Sequence, residues 1–125
     1  EYDHLIWPNS IENMDYLFLV CPLTTTTHHL LNESIFRATK QSLQIINVSR
    51  GQLIDEVALI HALQNSLVGG IAMDVFETEP PVTNSSLLLM EHCIFGSHNS
   101  SNTEEAVKRA SNAAIEIILN SFGKN

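Results

Sequence analysis

The strongest constraint on the fold is a set of four short, continuous apolar runs, separated by segments with helical spacing. The runs occupy residues 15–22, 44–48, 68–75 and 93–95. They have the length of strands, and none shows the alternation that is typical of a strand with one solvent-exposed face. The sequence therefore predicts strands that are buried on both faces.

Helical patterns lie between these runs. Asn32 can cap a short helix that runs through Phe36 and Ala38. Asp55 precedes a second helix, in which one face carries Leu59, Ala62 and Leu63. Both interpretations combine a capping residue with an apolar face, which is the usual start signal of a helix.

The last segment predicts a long amphipathic helix. Residues 101–104, with Ser first and Glu fourth, resemble a capping box. The helix would end near Gly123. Its apolar stripe contains Ala106, Val107, Ala110, Ala113, Ala114, Ile117 and Ile118.

This order of strands and helices is typical of βαβ units and of a parallel sheet. We therefore predict an α/β fold with flanking helices. In such sheets, functional loops follow the carboxyl ends of the strands. The segments after residues 21, 48, 75 and 95 are thus the places where a site is expected.

Composition narrows the class of protein. The chain has 125 residues, 44% of them hydrophobic, which fits a single domain. Its 6 Lys and Arg face 14 Asp and Glu, a formal net charge of −8. This balance argues against a nucleic-acid surface, which needs clustered cations. No apolar run approaches the roughly 18 residues of a membrane helix, so we expect neither a nucleic acid nor a membrane as partner.

The two cysteines indicate the redox state of the compartment in which the protein works. Cys21 and Cys93 each adjoin an apolar run, which predicts buried free thiols in a reducing environment. The chain opens on Glu1-Tyr2-Asp3 rather than on a basic and then apolar signal segment. We therefore expect a cytoplasmic protein.

One basic residue, Arg50, directly follows the second predicted strand, and it is the only Lys or Arg between Lys40 and Lys108. A guanidinium can bind a carboxylate through two parallel hydrogen bonds. The alternative is a surface arginine that pairs with a neighbouring acid such as Asp55. The sequence alone leaves both interpretations open.

Acidic residues follow the third predicted strand, and a histidine follows the fourth. Asp74, Glu77 and Glu79 could form a solvated acidic loop or a functional one, and their spacing does not match a Ca²⁺ loop. Pro80 restricts the backbone of Glu79. His98, ahead of a helix, is well placed for proton transfer. An arginine, an acid and a histidine at the ends of different strands together form a candidate catalytic site.

No metal site is expected. The adjacent pair His28-His29 is the strongest candidate for one, but adjacent residues rarely converge on one ion without further ligands nearby. Cys21 and Cys93 have no Cys partner at the spacing of a zinc motif.

In these segments the sequence resembles the D-isomer-specific 2-hydroxyacid dehydrogenase family. Four motifs occur in family order across about nine-tenths of the chain. One departure is Ser97, which stands where the family usually has Pro before its catalytic His. Residues 97–103 resemble some 3-phosphoglycerate dehydrogenases in particular. The similar segments are Cys21-Pro22-Leu23-Thr24 with Thr27, residues 46–56, residues 74–80, and Ser97-His98 followed by residues 103–106.

The resemblance implies a reaction and three catalytic residues. Hydride would pass between NAD and a D-2-hydroxy acid or 2-oxo acid, possibly 3-phosphoglycerate, with NADP left open. Arg50 would hold the carboxylate and carbonyl of the 2-oxo acid. His98 would be the acid/base, and Glu79 would hydrogen-bond His98 and favour its charged form.

The resemblance also implies a cofactor side. Asp74 would contact the nicotinamide carboxamide. Arg50 and His98 would adjoin the cofactor as well as the substrate. The residues lining the cofactor would be Cys21, Pro22, Thr27, Val48 and Ser49.

The family's Gly-x-Gly-x-x-Gly fingerprint does not occur in the chain, and neither does the acid expected about 20 residues after it. Residues 1–125 are thus expected to form the carboxyl-terminal part of a Rossmann-like, doubly wound dinucleotide-binding domain, without the first βαβ half and without the substrate domain. Two functions stay open: an enzyme of which this chain alone is inactive, or a degenerate binding or structural module. Residues 16–21 would form an apolar sheet edge, so we expect a homodimer.

Overall fold

The computed structural model describes residues 6–122. It contains one four-stranded parallel sheet in the order β1-β2-β3-β4, which confirms the predicted α/β class. The strands are β1 Tyr16–Leu19, β2 Gln44–Asn47, β3 Gly70–Met73 and β4 Cys93–Phe95. The helices are α1 Glu33–Ala38, α2 Glu56–Gln64 and α3 Glu104–Phe122, with short 3₁₀ turns at Ile11–Asn13, Gly51–Leu53 and Ser86–Leu89.

The core lies between one face of the sheet and helices α1 and α2. In β2 and β3, Ile45 and Ile71 point into this layer and are almost fully buried. They belong to one apolar cluster with Phe36 of α1 and Leu59 of α2. Because α1 and α2 pack on the same face, their apolar stripes cover only that side of the sheet.

The opposite face of the sheet is open among the described residues. Strand register aligns Phe18, Ile46, Ala72 and Ile94 in one row across all four strands. Phe18 is 60% exposed and Ile94 is 73% exposed. The prediction that the strands are buried on both faces is therefore wrong for the edge strands β1 and β4, because no described helix packs against this face.

Two of the predicted helix starts are confirmed and one is wrong. Asn32 accepts hydrogen bonds from the backbone amides of α1, and Asp55 caps α2 through the Ala58 amide. Helix α3, however, is capped by Thr103, whose hydroxyl accepts from the Ala106 amide at 3.1 Å. The capping box at Ser101 does not form, since the chain makes a separate turn there, closed by Asn102 N to Asn99 O.

Helix α3 contains no buried residue, and its predicted apolar stripe is exposed except for the half-buried Ala106. Its predicted end near Gly123 lies outside the described residues. Among residues 6–122, no helix combines the length and apolar character that crossing a membrane requires.

The two cysteines are free and half-buried rather than fully buried, because both lie at the margins of the sheet. Burial still raises the pKa of the Cys93 thiol.

Candidate active site

The parallel sheet places the predicted site residues along one edge. Arg50 follows β2, Asp74 and Glu79 follow β3, and His98 follows β4. Parallel strands end on the same side of a sheet, so loops that are far apart in sequence meet there.

His98 and Glu79 form a hydrogen-bonded pair. The Nδ1 atom of His98 lies 2.7 Å from Oε2 of Glu79, and Oε1 of Glu79 accepts the Phe76 amide at 3.0 Å. The hydrogen bond from His98, followed by that from Phe76, holds the pKa of Glu79 below its ordinary value, and the charge of Arg50 acts in the same direction. Glu79 thus accepts two hydrogen bonds within a loop that stays partly exposed to solvent.

Asp74 holds the loop that carries His98. Its carbonyl accepts the His98 amide at 2.8 Å, and its carboxylate accepts the amides of Asn99 at 3.2 Å and Ser100 at 2.8 Å. Hydrogen bonds from Ser100 lower the pKa of Asp74 against the opposing effect of burial. These bonds support a left-handed backbone at His98, where φ is 58°.

Gly96 makes this arrangement possible. A Cβ atom at position 96 would lie 2.2 Å from Oδ1 of Asp74, so any side chain there would displace the carboxylate. The sequence prediction gave Asp74 a cofactor contact only and missed its place in the His98 loop. The hydrogen bonds join residues 25 and 26 positions apart, and no sequence pattern specifies such pairs.

Arg50 presents an exposed side chain, whose Nη1 donates to the Ser49 carbonyl at 2.6 Å. Among residues 6–122 it forms no ion pair. The alternative of a pair with Asp55 is wrong, because Asp55 caps α2 and lies 4.0 Å from His29. The guanidinium therefore keeps most of its donors available.

The loop of Arg50 is held by Asn47, the last residue of β2, which the sequence prediction did not single out. Asn47 is fully buried; its Nδ2 donates to the Arg50 carbonyl at 2.9 Å and its Oδ1 accepts the Ser49 amide at 3.1 Å. A polar side chain inside an otherwise apolar strand was the signal that could have identified it.

Three of the five residues predicted to line the cofactor lie next to Arg50. Cys21, Pro22 and Ser49 line a cavity of about 440 Å³ together with Arg50. Ser49 Oγ donates to the Cys21 carbonyl at 2.6 Å, and Thr27 Oγ1 donates to the Pro22 carbonyl at 2.8 Å. The Thr27 hydroxyl thus stabilises the loop and does not line this cavity.

Val48 lies apart from this cavity, on the open face of the sheet. It lines a smaller cavity of about 220 Å³ with Asp74 and Ser100. The cavity beside Val48 is lined mainly by apolar groups, with the Asp74 carboxylate at its margin, whereas the cavity beside Arg50 is more polar. Apolar walls with a few placed polar groups are typical of sites that bind flat ligand rings.

A third cavity, of about 350 Å³, adjoins the His98–Glu79 pair. Phe76, Leu88 and Phe95 contribute apolar walls, and the two site residues form its polar margin. The imidazole therefore stands between an apolar interior and the open edge of the sheet.

Comparison with known proteins gives consistent matches. The family model described as "D-isomer specific 2-hydroxyacid dehydrogenase, NAD binding domain" matches residues 5–100. The chain is 36% identical, over 92% of its length, to the glyoxylate/hydroxypyruvate reductase B of Enterobacter sp. (strain 638). It is 40% identical, over 87% of its length, to the D-3-phosphoglycerate dehydrogenase of Bacillus subtilis (strain 168).

Among solved structures, the chain is similar to a glyoxylate reductase from Paecilomyes thermophila, with a TM-score of 0.82 and 29% identity over 91% of the chain. The chain covers 34% of that protein's chain. It spans 36% of the Enterobacter relative and 21% of the Bacillus relative.

Proposed function

The chain belongs to the D-isomer specific 2-hydroxyacid dehydrogenase family and matches the NAD-binding domain of that family. We propose that it carries the catalytic side chains of an oxidoreductase. The reaction interconverts a small 2-oxo acid and a D-2-hydroxy acid. The observation that carries this proposal is the His98–Glu79 hydrogen bond of 2.7 Å, on the same sheet edge as the exposed Arg50.

Arg50 binds the substrate. Its planar guanidinium accommodates the carboxylate of a 2-oxo acid by two parallel hydrogen bonds and also reaches the carbonyl oxygen. As negative charge develops on that oxygen, a positioned cation stabilises the transition state more than the ground state. The buried Asn47 contact to the Arg50 carbonyl supports this role, because it fixes the loop before substrate arrives.

His98 exchanges the proton. Its Nδ1 is engaged by the Glu79 carboxylate, so Nε2 is the nitrogen available to the substrate oxygen. In reduction, protonated Nε2 donates to the carbonyl oxygen; in oxidation, neutral Nε2 accepts the hydroxyl proton. Glu79, held as a carboxylate, accepts the hydrogen bond of Nδ1 and fixes the orientation of the ring.

The nicotinamide cofactor, NAD with NADP as the alternative, supplies or accepts the hydride at carbon 2 of the substrate when it is bound. Cys21, Pro22 and Ser49 provide the wall beside Arg50. Val48 and Asp74 provide the wall on the open face. We assign Thr27 to the support of the Pro22 loop rather than to direct contact.

Substitution of Arg50 tests the proposal. In the intact gene product, Arg50→Ala should lower turnover of glyoxylate or hydroxypyruvate by at least about a hundredfold, since one lost charge-stabilising donor costs about 2.7–4 kcal/mol. NADH consumption measures the rate.

The matched control is Arg109→Ala, which removes an exposed arginine within α3. It should leave the rate within about twofold, as is usual for a surface substitution. Near-normal activity of Arg50→Ala would contradict the assignment.

We propose that residues 1–125 correspond to the second half of the dinucleotide-binding domain and that the 125-residue chain alone is catalytically inactive. The absence of a glycine-rich phosphate loop from the sequence supports this. Calorimetry of NADH with the chain should detect only weak binding. Tight binding would contradict the proposal that this chain holds only half of the cofactor site. An intact gene product without activity would favour the alternative of a binding or structural module.

We further propose a cytoplasmic homodimer. The apolar edge strand β1, with Phe18 60% exposed, supports association with a second copy. The two free cysteines support a reducing compartment. A stable monomer of the 125-residue chain in light scattering would contradict the dimer.

A further inference from the structure

A second polar cluster adjoins the catalytic edge and has no part in the proposed chemistry. His29 Nε2 lies 2.7 Å from Oε1 of Glu77, in the loop after β3. Oε2 of the same carboxylate accepts the Glu56 amide, the first of α2, at 3.1 Å. Glu56 Oε2 in turn accepts the Glu77 amide at 3.1 Å. We call His29, Gln52, Glu56 and Glu77 the His29–Glu77 cluster.

Backbone contacts join the loops further. Gln52 donates from Nε2 to the Glu77 carbonyl at 2.9 Å, while the Gln52 carbonyl accepts the His29 amide at 2.9 Å. Gly51 packs against the next loop so closely that a Cβ atom there would lie 1.9 Å from the Phe76 carbonyl carbon. The loops that follow β1, β2 and β3 are thus connected to one another by side chains and by direct backbone packing.

These contacts hold a four-residue segment, residues 76–79, from two sides. Glu77 points to His29 and the start of α2, whereas Glu79 points to His98. Arg50 precedes Gly51, the residue packed against the same segment. The segment therefore connects the loop of the substrate-binding arginine with the acceptor of the catalytic imidazole.

We propose that His29 and Glu77 are positioning residues that set the placement of Arg50 relative to the His98–Glu79 pair. This inference rests on the proposed function, in which Arg50 binds the substrate and His98 exchanges the proton. Neither residue touches the substrate. Loss of the His29–Glu77 contact leaves the loops folded but lets Arg50 and His98 move relative to each other, and sub-ångström placement of reacting groups governs the rate.

His29→Gly is the sharpest variant. The backbone at His29 has φ of 51°, a conformation that glycine adopts freely, so the substitution removes the imidazole without adding strain. His29→Asn is the second variant, because Asn also tolerates this conformation and its short side chain does not reach Glu77. His28→Ala is the control: its exposed ring stacks on His29 with centroids 4.0 Å apart but takes no part in the cluster.

Steady-state kinetics of the intact gene product separate positioning from stability. In both His29 variants, kcat/KM for the 2-oxo acid should fall by about tenfold or more, with a higher KM for that acid and a KM for NADH within about twofold. A smaller folded fraction would lower kcat and leave both KM values unchanged. Equal changes in both KM values, or kinetics like those of His28→Ala, would overturn the proposal.

A second measurement does not depend on activity. The carboxyl-carbon NMR titration of Glu79 in the 125-residue chain reports whether Arg50 keeps its place beside the His98–Glu79 pair, since the charge of Arg50 is one cause of the lowered pKa of Glu79. The pKa should move up towards its ordinary value in His29→Gly and stay unchanged in His28→Ala. An unchanged pKa in His29→Gly would overturn the proposal. An intact gene product without dehydrogenase activity, together with the expected pKa change, would reject the proposed function and retain the contact between the loops.

Discussion

The carboxyl edge of the sheet and its open face differ in how their residues are held. At the carboxyl edge, side chains and backbone groups of four loops bind one another through short hydrogen bonds, for example Glu79 with His98 and Asp74 with Ser100. On the open face, Phe18 and Ile94 lie exposed in a row that no described element covers. The edge is thus organised by the chain's own contacts, whereas the open face is not.

This difference separates two properties that are usually discussed together. The proposed catalytic residues do not depend on the open face for their orientation, because their hydrogen bonds join the loops after the strands to one another and to the buried Asn47 at the end of β2. The open face instead has the character of a surface that another element covers, since large contiguous apolar patches are rare on exposed surfaces. The orientation of the proposed catalytic residues and the covering of the open face therefore depend on different parts of the molecule.

The largest expected effect compares the two faces of the sheet. Ile45→Ala removes a side chain that is 1% exposed and should lower the free energy of unfolding by about 2–5 kcal/mol. Ile94→Ala, on the open face, should change it by less than about 0.5 kcal/mol. Urea unfolding of the 125-residue chain measures both values. Equal losses would mean that the open face is covered in solution and would remove the contrast.

A smaller effect compares the catalytic edge with the opposite end of the sheet. Gly51→Ala places a Cβ atom 1.9 Å from the backbone of Phe76 and should cost about 1–3 kcal/mol. At Gly69, the nearest atom to a Cβ would be the flexible end of the Gln44 side chain, which can move away. Gly69→Ala should therefore cost less than Gly51→Ala in thermal unfolding. The reverse order would show that the loops at the edge are not tightly packed.

The smallest effect concerns acid. The pKa values of Asp74 and Glu79 are lowered from 3.8 and 4.5 in the folded chain. A carboxyl group whose pKa is lowered by folding stabilises the fold at pH values above its ordinary pKa. This stabilisation is lost as the pH falls through the lowered pKa of the folded state. Stability should thus decline below about pH 4.5, and Asp74→Asn with Glu79→Gln should flatten the decline. A double variant with an unchanged pH profile would assign the decline to other carboxyls.

The sequence was sufficient for the fold class and for two of the helix starts, because both depend on local patterns. Apolar runs identify β2 and β4 closely, and the caps at Asn32 and Asp55 are formed as predicted. The carboxyl-end rule then predicts that Arg50, Glu79 and His98 share one edge.

What the sequence did not reveal depends on distant pairs or on the placement of helices. The His29–Glu77 hydrogen bond joins residues 48 positions apart, and neither side chain lies in a pattern that specifies the other. The exposure of Phe18 follows from which face α1 and α2 cover, and an apolar run in a strand does not encode that choice. Thr103 replaces Ser101 as the cap because the preceding turn delays the start of α3.

The most direct test of the account is the protonation of the His98 ring. Long-range proton–nitrogen correlation spectra of the 125-residue chain at mildly alkaline pH identify which nitrogen carries the hydrogen in the neutral ring. The account predicts hydrogen on Nδ1, donated to Glu79, with Nε2 free to exchange a proton with substrate. Glu79→Ala should abolish this preference. Hydrogen on Nε2 in the unsubstituted chain would contradict the catalytic pair.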